Sequence, residues 1–140
     1  MICANEVKHL CGRLNIDSNR VTVKPISNGL SNRAFRFSYG KKKWMVRLPK
    51  NNLKERFQTL DNSTEKRLLK SVSKAGLTPT VIFDDESTGA LVTTFLNNAI
   101  TWDSSMLSQP ENLGRIAETL SSLHSINVGF RLPLFKPTTL

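Results

Sequence analysis

The sequence predicts an α+β fold, in which an antiparallel meander of three strands is followed by a helix, two more strands, a connector and a second helix. Three observations carry this. Phe35 and Phe37, then Trp44, Val46 and Leu48, alternate on either side of the Tyr39-Gly40 turn, as half-buried strands do. Leu68, Leu69, Val72 and Ala75 recur at helical spacing in NSTEKRLLKSVSKAG. The chain of 140 residues has the size of one domain and can bury roughly two-thirds of its unfolded surface, so it can form a core.

Each element has its own local justification. Residues 4–14 are predicted helical from Val7, Leu10, Cys11 and Leu14. A strand over 21–26 enters the polar segment SNGLSN, residues 27–32, and the next strands cover 34–38 and 43–48. The segment 49–60 is polar and basic without clear period, with a short helix expected near 53–60. Asn62 is placed to cap the helix 62–75, with Glu65 three residues on and Gly76 as its stop. Strands over 80–84 and 90–95 flank the acidic turn DESTG. After LNNAITWDSS, the pattern of Ser108, Pro110 and Glu111 predicts a capped helix with Leu113, Ile116, Ala117, Leu120 and Leu123 as its buried stripe. The end of the chain, GFRLPLFKPTTL, has two prolines and no period, and is expected to be extended.

Composition narrows the function. With 39% hydrophobic residues spread along the chain, no segment approaches the ~18 consecutive apolar residues of a membrane span. Glu6, Lys8 and His9 interrupt the N-terminus before a signal sequence can form, so a cytoplasmic location is expected. Cys3 and Cys11 have neither redox-pair nor zinc-site spacing and read as reduced thiols. The net charge of +9 is concentrated: from Arg33 to Arg56 there are nine Lys or Arg and one acid, Glu55. Such a field attracts nucleic acid, an anionic surface or a nucleotide triphosphate alike, and it also describes a solvated turn with a basic loop.

The SNGLSN segment poses the same choice. Ser27, Asn28, Gly29, Ser31 and Asn32 are small and expose backbone N–H groups, which suits a loop lying over phosphate oxygens. Asn28-Gly29 is equally the signal of a plain hairpin. The loop has neither the Walker ending Gly-Lys-Ser/Thr nor the three-glycine kinase pattern.

Taken together, PISNGLSNRAFRF, KKWMVRLP, Glu65, AGLTPTVIFDD, GALVTTFL and LSSLH resemble, in order and spacing, the N-terminal part of the choline kinase and aminoglycoside phosphotransferase superfamily. The resemblance covers about residues 20–127 and is nearest to bacterial choline-kinase-like and thiamine-kinase-like members. It implies a kinase-like N-lobe, a five-stranded antiparallel sheet with the 62–75 helix packed on it, and a helix at 111–124 that begins a second, missing lobe. Residues 1–96 would form the nucleotide-binding lobe, 97–127 the connector and first helix of the next lobe, and 128–140 an extended tail.

The resemblance also implies roles. ATP would be the nucleotide, with Ser27, Asn28, Gly29, Ser31 and Asn32 over its phosphates and Arg47 as the strand cation that steadies them. Glu65 would pair with Arg47, although a Glu there also serves a capping box. Thr94, Phe95 and Leu96 would border the adenine, or be an ordinary strand running into a loop. His124, which follows the leucine stripe, is read as structural, and Trp44 and Trp102 as core or rim aromatics.

The pattern then breaks off. The superfamily's His-Gly-Asp…Asn loop and later magnesium-binding Asp have no counterpart: neither His9 nor His124 precedes Gly-Asp, no Asp follows Asp103, and no Glu follows Glu118. No catalytic or metal-binding residue is assigned, and Mg2+ is expected only with the missing lobe. Three readings remain: the ATP-binding part of a kinase for choline, ethanolamine, thiamine or aminoglycoside-type hydroxyls, inactive by itself; a non-catalytic nucleotide-binding or regulatory module; and a basic nucleic-acid-binding protein. The last is disfavoured because no recognition module is present. The small-molecule acceptor would be met through the missing lobe, and the stripe of the last helix predicts self-association.

Overall fold

A computed structural model describes residues 1–28, 32–50 and 62–131. Its elements in chain order are α1 (Ala4–Leu14), β1 (Thr22–Asn28), β2 (Asn32–Tyr39), β3 (Lys42–Pro49), α2 (Asn62–Lys74), β4 (Val81–Asp85), β5 (Ala90–Thr94), α3 (Ser104–Leu107) and α4 (Pro110–His124). The short helix expected near 53–60 and the last nine residues of the tail lie outside the described residues. The chain divides into two compact units, Met1–Gln58 with Val81–Phe95, and Thr59–Thr80 with Leu96–Leu140.

The first unit is a five-stranded antiparallel sheet in the order β1-β2-β3-β5-β4, with α1. Alternation decides its two faces, because residues directly opposite on neighbouring strands share a face. One face is the core: Phe35, Val46 and Val92 form one cross-strand row, and Phe37, Trp44 and Thr94 the next. Leu10 and Cys11 of α1 join Phe35, Phe37, Trp44, Val46, Leu48, Ala90 and Val92 in the buried cluster. The helix that closes this core is thus the N-terminal one.

Local chemistry sets the boundaries. Cys3 caps α1: its Sγ accepts the Glu6 N–H at 3.4 Å while the Glu6 carboxylate accepts the Cys3 N–H at 2.8 Å. Asn15 ends the helix in the left-handed region. Pro25 lies on edge strand β1, where a missing N–H is tolerated, and the register shifts beside it between Pro25 and Ser27. The other edge strand, β4, is also bulged, between Val81 and Phe83. Both edges are therefore irregular, which discourages further strands from adding.

The second unit contains α2, α3 and α4. Gly76 at φ +74° stops α2 as expected, with its N–H donating to the Ser73 carbonyl. The connector holds a short helix that the sequence did not announce, α3, capped by Asp103, whose carboxylate accepts the Met106 N–H at 2.9 Å. Bonds from the Ser105 hydroxyl, then the Met106 N–H, hold that carboxyl below its ordinary value.

The expected cap of α4 is corrected. Ser108 terminates α3, its hydroxyl donating to the Ser104 and Ser105 carbonyls, and the residue preceding α4 is Gln109, which makes no side-chain capping bond. Asn112 joins the two helices by donating to the Met106 carbonyl at 2.9 Å. Of the leucines expected in a buried stripe, Leu113, Leu120 and Leu123 are 53%, 46% and 37% exposed, so among the described residues these three are not covered.

Candidate functional site

The sheet face turned away from α1 follows from the same register. Asn32 pairs with Pro49 beside the β1–β2 connection; the next row is Ala34, Arg47 and Leu91, and the one after is Arg36, Met45 and Thr93. Phe95 continues that face past the end of β5, and the Arg36 guanidinium lies over its ring, 5.7 Å from the centroid. Two arginines thus stand on this face, with Lys24 of β1 opposite Arg36 and Asp84 of β4 opposite Leu91 in the row of Arg47, and with the β1–β2 connection at one end and the exit of β5 at the other. Such a surface suits a ligand that is anionic at one end and flat and apolar at the other.

The residues singled out in the sequence are placed as follows. Ser27 and Asn28 are the last residues of β1, paired through their backbone with Ala34 and Arg33, and Asn32 opens β2. Gly29 and Ser31 lie outside the described residues. Arg47 is half-buried at the centre of its row. Glu65 is in the first turn of α2, in the second unit. Thr94 opposes Trp44 on the core face, while Phe95 is on the Arg36 face with its own N–H donated to the Lys43 carbonyl at 3.3 Å. Leu96 is exposed and begins a segment of the second unit.

Two residues escaped the sequence reading. Arg36 is one, although the alternation of RAFRFS already put it opposite Phe35 and Phe37 in the pleat. Its Nε is buried and has no hydrogen-bond partner among the described residues.

Asp85 is the other. It ends β4 at 2% exposure and has five partners. Its Oδ1 meets His9 Nε2 and accepts from Arg13 Nη1, each at 3.0 Å; its Oδ2 accepts from the Ser87 hydroxyl at 2.7 Å, the Thr88 hydroxyl at 2.6 Å and the Thr88 N–H at 3.0 Å. Burial pushes this carboxyl up, but the Thr88 hydroxyl, His9, the Ser87 hydroxyl and the Thr88 N–H outweigh it and hold the group well below 3.8.

Ser87 also lies 3.3 Å from His9 Nε2, so a serine, a histidine and an aspartate meet here. They do not form a nucleophile relay: Ser87 and Asp85 share one ring nitrogen, whereas a relay uses opposite nitrogens for the two contacts. The cluster fastens α1 to the β4–β5 turn.

For a magnesium ion the described residues have no group of three His, Cys, Asp or Glu side chains close enough to hold it. No helix among them is long and apolar enough to cross a membrane.

This architecture is similar to that of solved kinases. A choline/ethanolamine kinase family protein from Mesorhizobium loti superposes with a TM-score of 0.64 at 23% identity, over 81% of this chain and 35% of that one. Choline kinase LicA from Streptococcus pneumoniae gives 0.63 at 20% identity, over 82% and 39%. A choline kinase from Cryptosporidium parvum Iowa II gives 0.66 at 18%, over 92% and 38%. The chain therefore spans well under half the length of these relatives, and at such identities the likeness establishes fold. No curated protein matches the sequence. The fold is that of a kinase-like N-lobe, α+β with a five-stranded antiparallel sheet. Residues 22–139 match the phosphotransferase enzyme family, APH, and the chain belongs to that family.

Proposed function

We propose that this chain is the nucleotide-holding part of an ATP-dependent kinase acting on the hydroxyl of a small molecule of the choline, ethanolamine, thiamine or aminoglycoside type. The observation that carries the reading is the position of Arg47, at the centre of the row Ala34–Arg47–Leu91 and next to the β1–β2 connection, in a chain of the phosphotransferase family. Residues 1–96 form the nucleotide-binding lobe in this reading, 97–127 lead into a second lobe, and 128–140 are an extended tail.

ATP fits the residues present. Arg47 offers a fork of donors to its phosphates, and Ser27, Asn28, Gly29, Ser31 and Asn32 bring the main chain over them. Phe95 and Leu96 supply apolar surface to the base, and Thr94 supports that edge from the core side. The chemistry ATP supplies when bound is a transferable γ-phosphoryl group; this lobe binds and orients it. The base for the acceptor hydroxyl and the ligands for Mg2+ are assigned to a second lobe, together with the acceptor site.

The experiment is ATP binding by the chain and by Arg47→Ala, followed calorimetrically. The expected result is a loss of affinity of about tenfold or more, as for a charge-assisted contact, with an unchanged melting curve. Equal affinity would remove Arg47 from the phosphate site.

A further inference from the structure

The end of the sheet away from the β1–β2 connection gathers cations to which the nucleotide reading gives no task. There β1 begins, β2 turns into β3 at Tyr39 and Gly40, and β5 leaves the sheet. Arg20, Lys24, Lys41, Lys42 and Lys43 stand at this end, and all five are exposed. Lys42 pairs with Tyr39 and Lys43 with Ser38, so the pleat sends the two to opposite faces of the hairpin, with Lys41 in the turn between the strands. The Arg20 guanidinium lies over the Tyr39 ring, 5.5 Å from its centroid, and Lys24 is opposite Arg36. From Lys42 to Pro49 β3 runs about 23 Å at roughly 3.3 Å per residue, which separates this end from the place assigned to the phosphates of ATP.

The described carboxylates of the first unit lie elsewhere. Residues 18–54 contain no Asp or Glu. Glu6 meets Arg33, Asp85 is held by His9 and Arg13, and Asp84 and Glu86 belong to the β4–β5 side at the other end. Asp17, the acid nearest in sequence, accepts the Asn19 N–H at 2.9 Å. Among the described residues, Arg20, Lys24, Lys41 and Lys42 form no ion pair.

The neighbours of these cations select the kind of anion. Tyr39 is half-buried against the core and Trp44 is 8% exposed, so the hairpin has no open aromatic on which single-stranded bases would stack. A bilayer needs an apolar anchor beside the charge, and no large apolar side chain of β2 or β3 is exposed. A second copy of a chain with net charge +9 would be repelled. A duplex backbone needs only cations that reach its phosphates.

We propose that this end of the sheet binds the phosphate backbone of a double-stranded nucleic acid without reading its bases. Lys41, Lys42 and Lys43 of the hairpin meet phosphates, and Arg20 and Lys24 extend the contact to either side. The missing recognition module rules out base readout and leaves phosphate contact untouched. The inference is independent of the ATP site.

The test follows a short mixed-sequence duplex DNA by fluorescence anisotropy across a salt series, with vesicles of phosphatidylserine and phosphatidylcholine as a second probe and melting curves for every variant. Four to five phosphate contacts give a slope of log affinity against log salt of about −4, a loss of about 200-fold between about 50 and 200 mM. The double variant Lys41→Gln, Lys42→Gln should flatten the slope by about 2, and Lys24→Gln by about 1, which keeps the test informative where the double variant fails to fold. Lys8→Gln, at an exposed position of α1, should leave it unchanged. ATP affinity should be the same in all of them. Absence of duplex binding by the folded wild type at low salt would overturn the proposal. A slope unmoved by the hairpin variants, or flattened equally by Lys8→Gln, would reduce the binding to net charge and overturn it as well. Vesicle binding tighter than duplex binding would transfer the surface to a membrane, and a fall in ATP affinity would transfer the lysines to the nucleotide; either result overturns it.

Discussion

Replacing Asp85 by Asn tests whether the polar cluster between α1 and the β4–β5 turn holds the first unit together. The substitution keeps shape, so no cavity opens, and only charge and hydrogen-bonding sense change. One amide oxygen can still accept from the Thr88 N–H, but the amide nitrogen then faces Arg13, which can only donate. Two charge-assisted contacts are lost, to Arg13 and to His9, each worth roughly 1.5–3 kcal/mol where buried. Arg13 and His9 are 47% and 43% exposed, so water takes back part of that, and the net loss should be about 2–3 kcal/mol. Urea unfolding measures it as a lower midpoint with an unchanged slope.

The pH dependence supplies an independent check. The folded carboxyl titrates below its ordinary value, so its contribution is present in full above the unfolded pKa of about 3.9 and disappears as the pH falls below that. The gap between wild type and Asp85→Asn should therefore be constant near neutrality and shrink below about pH 4. A loss under about 0.5 kcal/mol at pH 7, or a gap that widens in acid, would refute the argument that the charged form of Asp85 is what the fold uses.

Two further outcomes follow from the fold. Gly89 has φ +70°, and a Cβ there would sit 3.0 Å from Cγ of Pro49, so Gly89→Ala should cost about 1–3 kcal/mol and lower Tm by several degrees in a thermal scan, whereas an unchanged Tm would contradict the turn geometry. The exposed leucines of α4 should make the chain associate with itself as its concentration rises in sedimentation equilibrium, and Leu120→Glu should shift it toward the monomer; a monomer at all concentrations would dismiss the stripe as an interface.

Local patterns were enough for most elements. The helix over 4–14 has the residues at which periodicity placed it, and the strands and α2 differ from expectation by a residue or two at their ends, where fraying and pairing, not hydrophobic period, decide the boundary. The kinase-like order of strands and helices, and with it the family, was legible because it is written as a succession of short-range signals. The site was less so. Arg47 and the small residues of SNGLSN could be named from resemblance, yet nothing local distinguishes a strand arginine in a binding face from one on a solvated surface.

Long-range pairing decided the rest. DESTG reads as a polar turn, and only the meeting of β4 with α1, 76 residues away for His9, makes Asp85 a buried, five-partner anchor. Ser108 satisfies the sequence rule for capping α4, but α3 claims its hydroxyl first. Arg36 gained significance when the register of β2, β3 and β5 set it beside Met45 and Thr93, one row from Arg47, and brought Phe95 under its guanidinium. Helix and strand preferences act over a few residues, so which segments take which form could be read locally. Which side chains share a face, and which charge is withdrawn from water, depended on partners far apart in the chain, and only the tertiary structure brings those together.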